Sequence, residues 1–421
     1  MRLLVIGNGA REHAIVWKLA SSPLVKSIFV SPGNAGTARI ATNLPVNPSD
    51  IETLIQRASE LKIDMAVIGP EVPLAAGIVD RFKEKGIPAF GPTKQAAQIE
   101  SSKIFAKYLM QKYGIPCAAS RAFSNYDDAR KYLTTVELPV VIKADGLAAG
   151  KGVIVSATED EAHDALKSMM IDRIFGEAGT RVIIEEYLQG LEVSLLAFTD
   201  GISVIPMVPA CDYKRVYDND CGPNTGGMGS YSPPGFFDQK MIKNVTETII
   251  KPAVKAMSNE GKPYAGVLYT GLIITEKGPK VLEFNARFGD PETQVILPRL
   301  KTDLVEIMVA VVDGKLDRTR IAWTQEACVG VVMASQGYPG KYRTGLPITI
   351  SKKISKDINI FFAGAKSTDD GQILTDGGRV LTITATGKSL KDARDKVYSN
   401  IPYIHFDGCY YRKDIAAREV S

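Results

Sequence analysis

Apolar residues in the first hundred positions fall into short runs that alternate with helical spacing. Arg2 to Ile6, Ser27 to Val30 and Met65 to Ile68 have strand length, and a later unit closes on Ile87-Pro88-Ala89-Phe90. Between them, Ile51, Leu54, Ile55, Ala58 and Leu61 recur at helical spacing behind Ser49-Asp50-Ile51-Glu52, a capping-box pattern that opens a helix. Strands separated by helices predict βαβ units and a parallel sheet covered on both faces. In such sheets, ligands sit at the carboxyl ends of the strands.

Those ends carry four glycine-bearing turns: Gly7-Asn8-Gly9-Ala10-Arg11-Glu12-His13, Pro32-Gly33-Asn34-Ala35-Gly36, Gly69-Pro70-Glu71 and Gly91-Pro92-Thr93-Lys94. One such turn is ordinary loop punctuation, but four behind successive strands predict a single binding rim. The first is not a dinucleotide fingerprint. Glu12 stands where a small residue should let the helix approach, and no carboxylate near the second strand is placed to hold a ribose. A helix start with free N–H groups still suits a phosphate.

Farther along, Lys103, Phe105, Ala106, Leu109 and Met110 predict a helix that stops at Gly114 and Pro116. Strands are expected at Val140 to Ala144, Val153 to Ser156 and Val182 to Glu185, with a helix from about Glu159 to Met169. Further strands are expected near Ser194 to Phe198, Leu272 to Thr275 and Val281 to Arg287. The last hundred residues read as β-rich, with Ala327 to Ala334, Ile358 to Phe362 and Val380 to Ala385 before a helix opened by Ser389.

Two segments carry most of the chemistry. In Lys143-Ala144-Asp145-Gly146-Leu147-Ala148-Ala149-Gly150-Lys151-Gly152, three glycines and Lys151 lie between strands, with Lys143 on the first strand. Glycines let backbone N–H groups face an anion and lysine adds charge, so the loop reads as a phosphate cover. It is not a Walker A loop: the glycine spacing is short by one, Gly152 replaces the Ser or Thr, and a strand follows instead of a helix. In the second segment, alternation on a strand puts Leu282, Phe284 and Ala286 on one face and Glu283, Asn285 and Arg287 on the other. A carboxylate and an amide oxygen suit a hard cation, and a guanidinium suits a phosphoryl group. The acidic strand Ile183-Ile184-Glu185-Glu186-Tyr187-Leu188 and the long polar loop from Asp212 to Gly229 are weaker pointers to a nucleotide edge and a functional loop.

Composition narrows the classes. The chain has 421 residues, 45% apolar and 23% charged, which predicts about three soluble domains. Its 51 Lys and Arg against 47 Asp and Glu leave +4, too balanced for a partner bound through phosphate neutralisation, so no nucleic acid is expected. No run reaches the roughly 18 apolar residues of a membrane span, no membrane partner or signal peptide is expected, and the cytoplasm is the expected compartment. Five irregularly spaced cysteines and 3 histidines make a zinc cage improbable and leave structural thiols as the commoner reading.

Taken together, the ordered motifs resemble the phosphoribosylamine–glycine ligase (glycinamide ribonucleotide synthetase) family of the ATP-grasp superfamily. The resemblance runs from Val5 to about Gly340 and is most specific at Pro32 to Thr37, Lys143 to Gly152, Gly222 to Gly229 and Arg287 to Glu292. It implies an α/β and α+β multidomain fold: a parallel-sheet domain over 1–101, ATP-grasp lobes over 102–189 and 190–325, and a β-rich domain over 326–421. The implied reaction joins 5-phosphoribosylamine and glycine through a glycyl phosphate at the expense of ATP, in a monomer or homodimer.

Carried over residue by residue, the resemblance makes Lys103 and Lys143 the ATP-phosphate lysines and Gly146, Gly150, Lys151 and Gly152 the phosphate lid. Glu185, Glu186, Tyr187 and Leu188 would frame the adenine, with Glu192 near the ribose. Glu283 and Asn285 match ligands of magnesium (or manganese), and Arg287 a phosphoryl-stabilising cation. Gly9, Asn34 and Glu71 fall on the rim expected to hold phosphoribosylamine, while Asp212, Lys214, Asp290, Pro291 and Glu292 are candidates for glycine or the amine. With Arg287, the residues Asp212, Lys214 and Asp290 form the implied catalytic set.

Three departures stand out. Ala10 and Ala286 replace a common Gly and Cys, and Cys211-Asp212-Tyr213-Lys214-Arg215 replaces Gln-Asp-His-Lys-Arg, which removes a histidine base. Thr270, Leu272 and Ile274 also offer no second metal carboxylate on the preceding strand. Competing readings are another ATP-grasp carboxylate–amine ligase, carboxylase or transformylase of purine synthesis, a nicotinamide dehydrogenase using the first turn, and a non-catalytic nucleotide-binding regulator.

Overall fold

The computed structural model describes residues 1–148 and 152–420. At the N-terminus, Thr42–Asn43, Ser27–Pro32, Arg2–Gly7, Met65–Ile68 and Ala89–Phe90 lie side by side in that order, all parallel. Leu3, Leu4, Val5 and Ile6 are completely buried because helices cover both faces of the sheet. The helix at Ile51–Glu60 forms as expected, with one correction at its start: Asp50 is the cap, accepting from Thr53 N at 3.2 Å, and Ser49 lies outside it. Reciprocal capping occurs instead at Thr158, which accepts from Glu161 N while Glu161 accepts from Thr158 N.

A second, antiparallel sheet runs Ser120–Phe123, Val182–Glu186, Val140–Ala144, Val153–Ser156. The helices Tyr126–Leu133 and Glu159–Met170 pack on it around Ile142, Leu166, Met169 and Ile184. This lobe has a core of its own.

The third sheet is antiparallel in the order Val204–Pro206, Leu191–Asp200, Ala265–Thr275, Gly278–Asn285. Along Leu191–Asp200 successive side chains enter different cores: Val193, Leu195 and Ala197 join one, Leu196 and Phe198 the other. Burial on both faces explains why this strand reads as a continuous apolar run without alternation.

The last sheet pairs Cys211–Asp212, Gly229–Ser232, Ala327–Ser335, Arg379–Gly387 and Ile358–Phe362, with Cys409–Tyr410 on one side. Two of its strands therefore precede residue 326. The C-terminal tail locks onto them. Arg412 is fully buried, pairs with Asp220 at 2.8 Å and Asp414 at 2.6 Å, and lies over the Tyr213 ring. The Tyr213 hydroxyl accepts from Ala416 N, so this side chain belongs to the tail packing.

Helix Ala10–Ala20 docks the first sheet onto the last. His13 Nδ1 accepts from Phe362 N at 2.9 Å, and its ring stacks on Phe362 and meets Phe361 edge-on. Gly36 leaves room for that ring, because a Cβ there would collide with it. Among the described residues, no helix is long and apolar enough to cross a membrane.

Burial, assisted by Arg39, pushes the His13 pKa down to about 4. The unfolded imidazole titrates near its ordinary 6.5, so the stability due to neutral His13 is complete above that pH and is lost as pH falls toward 4. Urea unfolding at pH 7 and pH 5 should show an extra loss of about 2 kcal/mol in the native chain relative to His13→Gln. Identical losses in both would refute the assignment.

Candidate active site

The strand Gly278–Asn285 and the turn after it organise the site. The strand was expected to reach Arg287 with strict alternation, and the structure corrects this. Gly271 pairs with Glu283 but Leu272 pairs with Val281, so Leu282 bulges out of register. Val281, Phe284 and Ala286 are the buried apolar residues, and Leu282 presents its carbonyl to Lys143 Nζ at 3.1 Å.

Glu283 and Asn285 remain neighbours, with Asn285 Nδ2 3.5 Å from Glu283 Oε1. Burial works to raise the Glu283 carboxyl, but Lys214, Lys143 and Lys103 outweigh it and hold its pKa below the usual value. Arg287 lies past the strand end. It turns back to Glu71 Oε2 at 3.1 Å and Glu100 Oε1 at 3.3 Å. Despite burial, the charges of Glu100 and Glu71 raise its pKa further. Glu100, absent from the sequence-based set, also accepts from Ala286 N at 2.7 Å.

The expected nucleotide lysines come from two elements. Lys103 is the first residue of helix Lys103–Lys112, and its Nζ donates to Gly146 O at 3.1 Å. Asp145 anchors the loop to that helix by accepting from Ile104 N at 2.8 Å and Ser102 Oγ at 3.0 Å, while Arg181 pairs with its other oxygen at 2.5 Å. Gly146 packs where a Cβ would meet Ala178, and Gly152 O accepts from Ala144 N. A cavity of about 580 Å³ opens beside them, lined by Asp145, Gly146, Leu147 and Arg181. The expected lid residues Gly150 and Lys151 lie outside the described residues.

Lys143 Nζ pairs with Glu185 Oε2 at 2.9 Å, and Lys107 approaches Glu185 Oε1 at 3.1 Å. Lys107 went unnoticed in the sequence, although it stands one helical turn after Lys103 on the same helix. Glu186 faces outward to Lys280 at 2.9 Å and accepts from Ala119 N; Tyr187 is exposed and Leu188 half-buried.

A second polar group lies across Glu283. Lys214 pairs with Glu192 at 2.5 Å, and the charges of Asp212, Glu192 and Glu283 overcome burial to raise its pKa. Burial pushes the Asp212 carboxyl up to about 7; Lys214 opposes this, and Glu292 and Glu192 add to it. Buried Glu292 accepts from the hydroxyls of Tyr269 at 2.9 Å and Ser194 at 3.1 Å.

Asp290 pairs with Arg379 at 2.8 Å and accepts from Gln294 at 2.8 Å, while Pro291 O accepts from Ser230 Oγ. Arg379 also donates to Gly226 O, bringing a C-terminal strand into the site. Its motif-free surroundings gave no sequence signal, since the contact spans 89 positions.

The rim residues converge at the N-terminal sheet. Glu12 accepts from Gly9 N at 2.7 Å and fills the space between the turns, where a Cβ at Gly7 or Gly69 would strike it. This explains the departure from a dinucleotide turn. A Cβ on Gly9 would sit 3.7 Å from Asp290 Oδ2, which brings the rim to the Arg287–Glu292 turn. Asn34 is buried with its amide wholly engaged: Nδ2 donates to Asn8 O and Phe362 O, and Oδ1 accepts from Gly36 N and Thr37 N. Glu71 faces Arg287, whose charge, with that of Arg11, overcomes burial to lower its pKa.

Three signatures of one family match consecutive stretches of the chain: the phosphoribosylglycinamide synthetase N domain over residues 1–100, its ATP-grasp (A) domain over 101–293 and its C domain over 328–418. The chain is 50% identical over 417 residues to the phosphoribosylamine–glycine ligase of Caldanaerobacter subterraneus, covering 99% of this chain and 100% of that one. It is 47% identical to the enzyme of that name from Halalkalibacterium halodurans, covering 100% and 98%. The crystal structure of phosphoribosylamine–glycine ligase from Thermotoga maritima superposes with a TM-score of 0.86 at 34% identity, covering 99% and 100%.

Removing the guanidinium of Arg287 would strand two carboxylates, one of them, Glu100, buried. Arg287→Met should lower the unfolding free energy by about 3–5 kcal/mol in urea titration. Native stability in that variant would mean that Glu71 and Glu100 do not depend on it.

Proposed function

The chain belongs to the phosphoribosylglycinamide synthetase family, and on that premise we propose how its residues join 5-phosphoribosylamine to glycine at the expense of ATP. It is an ADP-forming ligase of purine biosynthesis. One observation carries the assignment of roles: three lysines from separate segments, Lys214, Lys143 and Lys103, act on the single carboxylate of Glu283. Such a surplus of cations around an ionised acid suits a polyphosphate and a divalent metal together.

In this reading Lys103 and Lys143 take the nucleotide phosphates and the Gly146–Gly152 loop covers them. Glu185, Glu186, Tyr187 and Leu188 frame the base, and Glu192 takes the ribose. The N-terminal rim holds phosphoribosylamine, with Gly9 and Glu71 facing it and Asn34 fixing its backbone. Lys214, Pro291 and Glu292 frame glycine and the amine. The segments 1–101, 102–189, 190–325 and 326–421 divide this work, on small-molecule substrates in the cytoplasm.

Glu283 and Asn285 would hold magnesium or manganese. An ionised carboxylate and an amide oxygen are donors that a hard cation accepts. Among the described residues no group of three or more His, Cys, Asp and Glu forms a metal cluster, so phosphate and water oxygens would complete the shell. Bound there, the cation would supply neutralisation of phosphate charge.

The chemistry needs no protein nucleophile. A carboxylate oxygen of glycine attacks the γ-phosphorus, and the bond to ADP breaks. The amine nitrogen of phosphoribosylamine then attacks the glycyl carbonyl carbon, the bond to phosphate breaks, and the nitrogen releases a proton. Arg287 stabilises the charge on the transferred phosphoryl group, and Asp290 orients the turn beside it through Arg379. Asp212 takes the proton, for which a pKa raised to about 7 is suited.

With ATP, glycine and freshly generated phosphoribosylamine, ADP release should require both glycine and the amine. Turnover with bicarbonate or formate in place of glycine would favour another ATP-grasp activity. Because Asp212 acts when deprotonated, kcat should rise with pH through about 7 and then level off. Asp212→Asn should lose roughly a hundredfold or more in kcat together with that limb; an unchanged limb would remove Asp212 from the role.

A further inference from the structure

Lys107 has no part in the mechanism above, yet its ammonium is buried. Its side chain is 7% exposed and that of its partner Glu185 is 3% exposed. Its Nζ lies 3.1 Å from Glu185 Oε1 without hydrogen-bond geometry, and among the described residues neither atom has a hydrogen-bond partner. The opposite oxygen of Glu185 is held by Lys143 at 2.9 Å, and that lysine also donates to Leu282 O at 3.1 Å. Two buried ammonium groups thus share one buried carboxylate.

One lysine would neutralise Glu185. A second, stripped of water by burial, has to meet a further charge. Around Glu185 the surplus is one positive charge, and Lys143 carries it toward Glu283, the strand Val140–Ala144 and the Leu282 bulge. If Lys143 were the sole cation here, an incoming polyphosphate and Glu185 would compete for it.

We propose that Lys107 is a positioning residue for ATP, keeping Glu185 neutralised and in place while the nucleotide phosphates draw on Lys143. The proposal rests on the assignment of Lys143 to those phosphates. Lys107 itself touches no phosphate. Its effect is to let Lys143 serve the anion without leaving a bare carboxylate at the base-binding strand Val182–Glu186. Glu283 and Lys103 face Lys143, Cys117, Lys280 and Glu186 are the remaining titratable groups around this corner, and Lys280 with Glu186 forms a separate pair.

The test compares Lys107→Met, Lys107→Arg, Glu185→Gln with and without Lys107→Met, and Lys143→Met, using ATP and adenosine as probes. Lys107→Met should raise the KM for ATP by about tenfold or more with kcat changed less than about threefold. Its adenosine affinity should stay near native, because adenosine brings no charge to Lys143. Lys107→Arg should restore ATP binding to within about threefold, and Lys107→Met should cost less than about threefold when added to Glu185→Gln, because no carboxylate then needs neutralising. A native ATP KM in folded Lys107→Met, or a loss on adding Lys107→Met to Glu185→Gln as large as in the native chain, would overturn the proposal. A native ATP KM in Lys143→Met would instead overturn the phosphate assignment beneath it, so the two failures are distinguishable. Should Lys107→Met fail to fold, Lys107→Arg and the double variant carry the same comparison.

Discussion

The carboxylate of Glu283 depends on charges that other parts of the chain must deliver, and they in turn depend on it. Lys103 arrives on a helix start, Lys143 on the neighbouring lobe's sheet, and Lys214 on the loop that leads to the C-terminal sheet. Without Glu283 these cations would repel one another in a poorly solvated space. Without the cations, burial would neutralise the acid. The mutual requirement explains why three otherwise separate sheets meet at the end of one strand.

Much of this was legible in the chain. Strands such as Val140–Ala144, Val153–Ser156 and Ile358–Phe362 fall where the apolar pattern put them, and the Ser389 cap opens its helix as expected. Local signals carried those features. The bulge at Leu282 was not legible, because it arises from pairing with Gly271 and Leu272 in a different strand. The pairing of Arg287 with Glu71 and Glu100, 216 and 187 positions away, was equally out of reach of local signals.

The motif turns proved to be more committed internally than their composition suggested. Glu12 fills the crevice a dinucleotide would need, Asn34 spends its whole amide on protein partners, and His13 ties the first domain to the last. A rim built this way holds its shape before any substrate arrives, which is how a site reduces the entropic cost of ordering itself around a ligand.

The buried Arg412 and the Tyr213–Ala416 contact also set an order in time. The loop carrying Asp212 and Lys214 is held by residues up to 203 positions later in the chain. At the usual 5–20 residues per second of synthesis, that separation amounts to roughly ten to forty seconds on the ribosome. During that interval the lobe with its own core could already be folded, while the acid-bearing loop still lacks its clamp. A growing chain would therefore complete the lobe that carries Lys143 well before the clamp on Asp212 and Lys214.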